Sequence, residues 1–272
     1  MSAVTWLPVG VPDPKKLSEA RHQAHNAAQW LTRVAHSYMR PEPEHAHTRL
    51  RWDAQRRALV TQDFLPRLTL ELRLANLALQ FRQGGKAVPH VIEIDDRTPA
   101  EVEAWVLVEL LHRGVDRDRF SKALPYEMPD LMTGDAIPYR SETLEAALGE
   151  LAAWFANAVS VLARIADEHH PAAPGASAVW CWPEVFHMAL LLPARVDEAA
   201  TGQMLRAGLA LGDAHHADPY FYLVPHDPEV LADDCPGNIL TAAAVASSGR
   251  PAESVLEFLR QEIAMYQSRS AQ

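Results

Sequence analysis

The feature that most limits how this chain of 272 residues can fold is an order of elements that occurs twice: a long helix, several strands, then a second helix. Residues 15–38 place Leu17, Ala20, Ala24, Ala27, Ala28, Leu31, Val34 and Ala35 at steps of three and four, the period of a helix with one apolar face. "RPEPEH" breaks that period. Strands follow: "HTRLRWD" and "RALVTQDF" around a short polar turn, "RLTLELRL" and "LALQFRQ" around Ala75-Asn76, then "AVPHVIEI". Leu68, Leu70, Leu72 and Leu74 alternate with Arg67, Thr69, Glu71 and Arg73, as in a strand with one buried face. "TPAEVEAWVLVELLHRG" (98–114) then opens a helix, with Thr98 as N-cap, Pro99 in the first turn and Glu101 closing a capping box.

The second series begins with a helix over 142–168, whose buried stripe is Leu144, Leu148, Leu151, Phe155, Val159, Leu162 and Ile165. After the loop "HHPAAPGAS" come the strand-like pieces "AVWCW", "VFHMALLL", "MLRAGLAL", "PYFYLVP" and "NILTAAAVA". A last helix starts at Pro251, again with Pro-Ala-Glu. Trp30 and Trp154 lie in the opening helices, and Trp52 and Trp182 in the first strands. The expectation is an α+β fold of two similar halves, 15–114 and 141–267, each with antiparallel strands flanked by helices. They would form one globular unit over 1–272, with 115–140 as a Pro-rich connection. The paired Trp and Pro-Ala-Glu positions read as an internal duplication, or as one good helix-start chemistry used twice.

A hydrophobic content of 48% and charged content of 22% describe a water-soluble globular chain with a sizeable core. The net charge of −10 argues against nucleic acid as a partner. The charge is uneven, since residues 49–86 carry eight basic side chains against three acidic ones. Two cysteines, Cys181 and Cys235, are too few for a disulfide framework and suit a reducing cytoplasm. The N-terminus reads as no signal peptide, and the apolar stretch 144–166 is broken by Glu145, Glu150, Asn157 and Arg164, so no membrane partner is expected.

Several groups could carry chemistry. Asp213, His215, His216 and Asp218 crowd one segment, and with His187 could form a metal site, although adjacent histidines on extended backbone face opposite ways. Glu19 with His22 and Glu109 with His112 show Glu-x-x-His spacing, which also arises as an ordinary surface pair. No resident metal or other cofactor is expected on this reading. "RQGGKA" lacks the leading glycine and trailing hydroxyl of a phosphate-binding loop and reads as a turn. Arg49 and Arg51 share a strand face with His47; such a face could hold phosphates beside Trp52, or be a solvated surface. Trp180, Trp182, Tyr220 and Tyr222, with His187, offer an aromatic lining with polar tips, the best pocket candidate in the chain.

At "IPYRSET" (137–143), "WCWPEVFHMAL" (180–190), "PYFYLVP" (219–225) and "SVLEFLRQ" (254–261) the chain resembles a family of uncharacterised bacterial proteins, a domain of unknown function. The resemblance follows the order of elements over nearly the whole chain. It implies a bacterial cytoplasmic protein of one full-length domain and transfers no activity. Where that family carries an aspartate after the phenylalanine of "WPEVFHMA", this chain has His187.

Three functions follow as expectations. The first is small-molecule binding in an aromatic-lined cleft between the halves, by Trp180, Trp182, His187, Tyr220 and Tyr222. The second is a metal-assisted hydrolase using His187, Asp213, His215 and His216. The third is a protein-interaction module without a small ligand. Nothing in the sequence sets the oligomeric state.

Overall fold

A computed structural model describes residues 5–10, 13–169, 177–194, 203–227 and 237–269. The first series runs α1 (Pro14–Tyr38), β1 (Arg51–Asp53), β2 (Ala58–Val60), β3 (Leu68–Arg73), β4 (Ala78–Gln83), β5 (Lys86–Ala87), β6 (Ile92–Glu93) and α2 (Pro99–His112). The second runs α3 (Glu145–His169), β7 (Trp180–Trp182), β8 (His187–Pro193), β9 (Met204–Ala210), β10 (Tyr220–Pro225), β11 (Ile239–Thr241), α4 (Ala242–Ser247) and α5 (Pro251–Arg269). The fold is α+β. Each series contains one antiparallel sheet in which successive strands are neighbours, β1 to β5 in one and β7 to β11 in the other, and β6 pairs with β4.

By contacts the chain divides into two compact units. One holds residues 15–152 with 182–184, and the other holds 1–14, 153–181 and 185–272. The boundary therefore falls inside α3 and not in the Pro-rich segment. Residues 115–140 belong to the first unit, where they satisfy polar side chains of α1. Met132 N–H donates to Asn26 Oδ1 at 2.7 Å, Tyr126 Oη–H to Gln29 Oε1 at 2.7 Å, and Trp30 Nε1–H to the Tyr139 hydroxyl at 3.0 Å. That is why α1 is buried on more than its apolar stripe: Gln23, Asn26, Gln29, Thr32 and Arg33 are buried too, each with a hydrogen-bond partner. Buried polar groups are tolerated on that condition.

In the first unit, Leu70, Leu72, Leu79 and Phe81 form the apolar face of the sheet. Phe81 packs against Trp105 of α2 with ring centroids 5.5 Å apart, and against Phe64, which meets Tyr38 of α1 at 6.0 Å. In the second unit, Trp154 and Phe155 of α3 do the same work, at 6.4 Å from Phe221 and 5.2 Å from Phe186. The helix spanning 142–169 is long and apolar enough to cross a membrane, but 61% of its most apolar window is buried inside the molecule, as for a core helix. Val159 of the expected stripe is only half-buried, and Ala158 and Val161 are fully buried instead.

The capping box at α2 forms as the spacing requires: Glu101 N–H donates to Thr98 Oγ1 at 3.3 Å, and Thr98 N–H to Glu101 Oε2 at 2.8 Å. Other boundaries moved. In "HTRLRWD", His47 and Thr48 end a 3-10 segment over Pro43–Thr48, and only Arg51–Asp53 form a strand. "AVPHVIEI" is split into β5 and β6, because Pro89 has no N–H to offer a ladder and His90 adopts φ 71°. "NILTAAAVA" leaves the sheet at Thr241, whose hydroxyl caps α4 by accepting from Ala244 N–H at 3.3 Å, and the alanines that follow are the best helix formers.

Three hairpins, β1–β2, β3–β4 and β7–β8, use four-residue turns that end on left-handed residues: Arg57 at φ 52°, Leu77 at 45° and Phe186 at 56°. Leu77 and Phe186 are buried, so packing offsets a conformation unfavourable for bulky side chains. The matching turns place Asp53 opposite Trp182 in the two series, and Trp52 opposite Cys181. Trp52 and Trp182 are thus one residue out of step and occupy non-equivalent faces. Trp30 and Trp154 also sit at different depths in their helices. The tryptophan pairs that suggest a duplication therefore do not occupy equivalent positions in the two series.

Candidate functional site

In the second unit the register brings polar side chains to one face of the sheet. Tyr220 pairs with Ala210, Tyr222 with Gly208 and Val224 with Arg206, while Gly208 also pairs with Ala189 of β8. His187 Nδ1 lies 3.3 Å from the Tyr222 hydroxyl, and the Arg206 guanidinium is 5.9 Å from the Tyr222 ring centre. His187, Arg206, Tyr220 and Tyr222 are all buried, Tyr222 with no accessible surface at all. Because Tyr222 has no exposed surface, a ligand reaching it would have to displace packed side chains.

Trp182 is buried in the other unit, where the Arg49 guanidinium stacks over its ring at 4.0 Å. That stacking is a cation–π contact that also covers the ring. Trp180 is half-buried at the start of β7. Trp182 and the two tyrosines, expected to front a cleft, are buried side chains.

The expected metal set does not converge. Asp213 uses Oδ1 to accept the backbone N–H groups of His215 and His216, each at 2.7 Å, and Oδ2 to accept the Tyr220 hydroxyl. These bonds hold its carboxyl below the usual carboxylate range against the opposing effect of burial. Asp213 is thus a loop-closing acceptor, a role its adjacency to two histidines did not reveal. His187 is engaged with Tyr222 instead. His22 Nε2 lies 3.2 Å from the Asp130 carbonyl oxygen while Glu19 accepts from Gln23, so that Glu-x-x-His pair is not a site either. Cys235 and His170 lie outside the described residues.

The first sheet carries a different candidate on its polar face. Arg51, Val60, Glu71 and Gln80 form one row across β1–β4, and Thr69 pairs with Arg82 in the next. Over them opens a concavity of about 480 Å³ lined by Arg51, Trp52, Arg56, Arg67, Arg82 and the Gly84-Gly85 turn, among others. Behind two of the lining arginines is Glu71, its side chain 1% exposed, with Arg82 Nη1 at 3.5 Å, Arg56 Nε at 3.8 Å and, outside the lining, Arg73 Nε at 3.9 Å. Burial pushes the Glu71 carboxyl up, and the three guanidiniums oppose that shift. The arginines are held by further acceptors. Arg51 Nη2 donates to the Thr61 carbonyl at 3.3 Å, Arg82 Nε to the Gly85 carbonyl at 3.2 Å, and Arg56 pairs with Asp53. Gly84 and Gly85, at φ 59° and 79°, make the turn that brings that carbonyl to Arg82.

On the same unit, α2 presents Glu109 and His112, and the segment between β5 and β6 brings His90 to them. Glu109 is 2% exposed and is not the surface residue its spacing suggested. Its Oε1 lies 3.1 Å from His90 Nδ1 and 3.3 Å from His112 Nδ1, and its Oε2 lies 2.8 Å from Arg113 Nη1. His90 is nineteen residues from Glu109, beyond the reach of any helical spacing rule.

Comparison with protein-family models, with curated proteins and with solved structures finds no match to this chain.

Proposed function

We propose that this protein binds a small phosphate- or carboxylate-bearing molecule in the arginine-lined concavity of its first sheet. The observation that carries the reading is the arrangement of Arg51, Arg56, Arg67 and Arg82 around about 480 Å³, within the range of small-ligand sites. Guanidinium groups suit planar, bidentate recognition of carboxylate and phosphate oxygens. Because several are already fixed by carbonyl and carboxylate acceptors, less side-chain entropy is lost when an anion arrives. Asp53 and Asp63 offset only part of the charge, and Glu71 lies beneath the surface an anion would meet. The overall charge of −10 favours a small anion over a polyanion such as nucleic acid. Small-molecule binding thus stays the favoured class, moved from the aromatic residues to the arginines. Sparse cysteine usage and the family resemblance support a bacterial cytoplasmic setting.

The test is calorimetric titration with inorganic pyrophosphate and with citrate at low and high salt. Arg51 and Arg67 are exposed, so an Arg51→Ala/Arg67→Ala variant should fold normally. Binding of either probe should weaken tenfold or more in that variant and fall as salt rises. Failure of both probes to bind, or equal binding by the double variant, would refute the reading.

A further inference from the structure

The geometry points to a divalent-metal site made by His90, Glu109 and His112, separate from the arginine concavity and independent of its function. One ligand atom from each of the three lies within 4.8 Å of the others, and among the described residues no other set of three such side chains comes as close. In a tetrahedral site with bonds of about 2.0–2.1 Å, neighbouring donors stand about 3.3 Å apart. The separations of 3.1 Å and 3.3 Å from Glu109 Oε1 to the two Nδ1 atoms already match that edge. The third edge lies between the two histidine ligand atoms, which are within 4.8 Å of each other on exposed rings whose centres are 5.7 Å apart.

The rest of the arrangement assigns roles to the two oxygens of Glu109. Oε2 faces Arg113, which also donates to the Glu109 carbonyl and lies over the Phe81 ring at 4.8 Å. That clamp fixes the carboxylate and leaves Oε1 to the histidines, the supporting contact that bound metal ions usually have behind a ligand. Two imidazoles and one carboxylate select borderline ions such as zinc, cobalt or nickel over calcium and magnesium. His90 and His112 have side chains 62% and 53% exposed, so the remaining coordination positions of the ion would face solvent.

Without an ion, the same atoms are two hydrogen bonds from imidazole to one carboxylate oxygen, and only a binding measurement separates the alternatives. The protein, stripped with a chelator and dialysed, would be titrated with cobalt(II), read by its visible ligand-field absorption, and with zinc by calorimetry. One equivalent per chain should bind, with the intense absorption of a four-coordinate cobalt site. His90→Ala and His112→Ala should each weaken binding tenfold or more, while His215→Ala, at an exposed histidine elsewhere, should leave it unchanged. Exposed histidines are altered and Glu109 is left in place, because removing that buried carboxylate would strand Arg113. Equal affinity in wild type, His90→Ala and His112→Ala would overturn the assignment, as would absence of a stoichiometric site or its loss in His215→Ala.

Discussion

Gly208 faces Tyr222 across the β9–β10 pair so closely that a Cβ on Gly208 would lie 2.7 Å from the Tyr222 hydroxyl oxygen and 2.9 Å from the Ala189 Cβ. The glycine is there for space, because its backbone needs no left-handed conformation. The close approach lets Tyr222 lie flat across β9 and reach His187.

Gly208→Ala should therefore destabilise the protein by about 1–3 kcal/mol, the usual cost of overpacking a filled core. In a Tyr222→Phe background the same change should cost less, since the nearest clashing atom is gone. Urea denaturation of the four proteins in that cycle measures the difference. Equal costs in both backgrounds would mean that the aromatic ring carbon, 2.8 Å from the added Cβ, or Ala189 sets the limit.

Phe155, fully buried and edge-on to Phe186, anchors α3 to the second sheet. Phe155→Ala should cost about 3–5 kcal/mol. A loss under about 1 kcal/mol by chemical denaturation would show that the site collapses around the missing ring.

Where local physics decides, the sequence could be read directly. The Leu68–Leu74 alternation produced β3, and Thr98 with Glu101 produced the capping box at the residue expected. The same alternation misled about the other face. Glu71, between Thr69 and Arg73, reads as solvated but is 1% exposed, because the arginines that bury it come from β4 and from the β1–β2 turn. The polar positions of α1 are bound by segment 115–140, a contact that the helical period does not encode. His90 joins Glu109 through a chain reversal at Pro89-His90, and no periodicity encodes that contact. Adjacency of Asp213, His215 and His216 suggested a metal site, but the backbone turn spends the carboxylate on N–H groups. Contacts made by period and capping were legible, whereas contacts made by tertiary closure were not.

Glu71→Gln offers a second view of the arginine concavity. It removes one negative charge beneath Arg82, Arg56 and Arg73 while keeping the side chain's shape. If the concavity binds anions, pyrophosphate should bind more tightly to the variant, by about fivefold for a gain of about 1 kcal/mol. Stability should fall, because three guanidiniums lose their buried counter-charge. Calorimetry and urea denaturation read the two effects separately. Weaker pyrophosphate binding by a folded variant would show that Glu71 organises the arginines more than it neutralises them.

His25 gives the fold an acid-sensitive point. Its Nε2–H donates to the Pro183 carbonyl at 2.8 Å, and burial, with smaller effects from Arg21 and His22, lowers its pKa from 6.5 to about 4. In the unfolded chain His25 titrates near 6.5, so between about pH 6.5 and 4 the unfolded state holds a proton that the folded state refuses. Stability from this residue is complete above pH 6.5 and is lost as pH falls toward 4, at up to about 1.4 kcal/mol per pH unit. His45 and His47, whose pKa values are also lowered by burial and then by His36, act in the same direction. Gln can donate a similar hydrogen bond to Pro183 without titrating. Urea denaturation at pH 7.5, 6.0 and 5.0 should therefore show a steeper acid loss in wild type than in His25→Gln. Parallel losses in the two proteins would assign the acid sensitivity to other groups and leave His25 as a neutral packing residue.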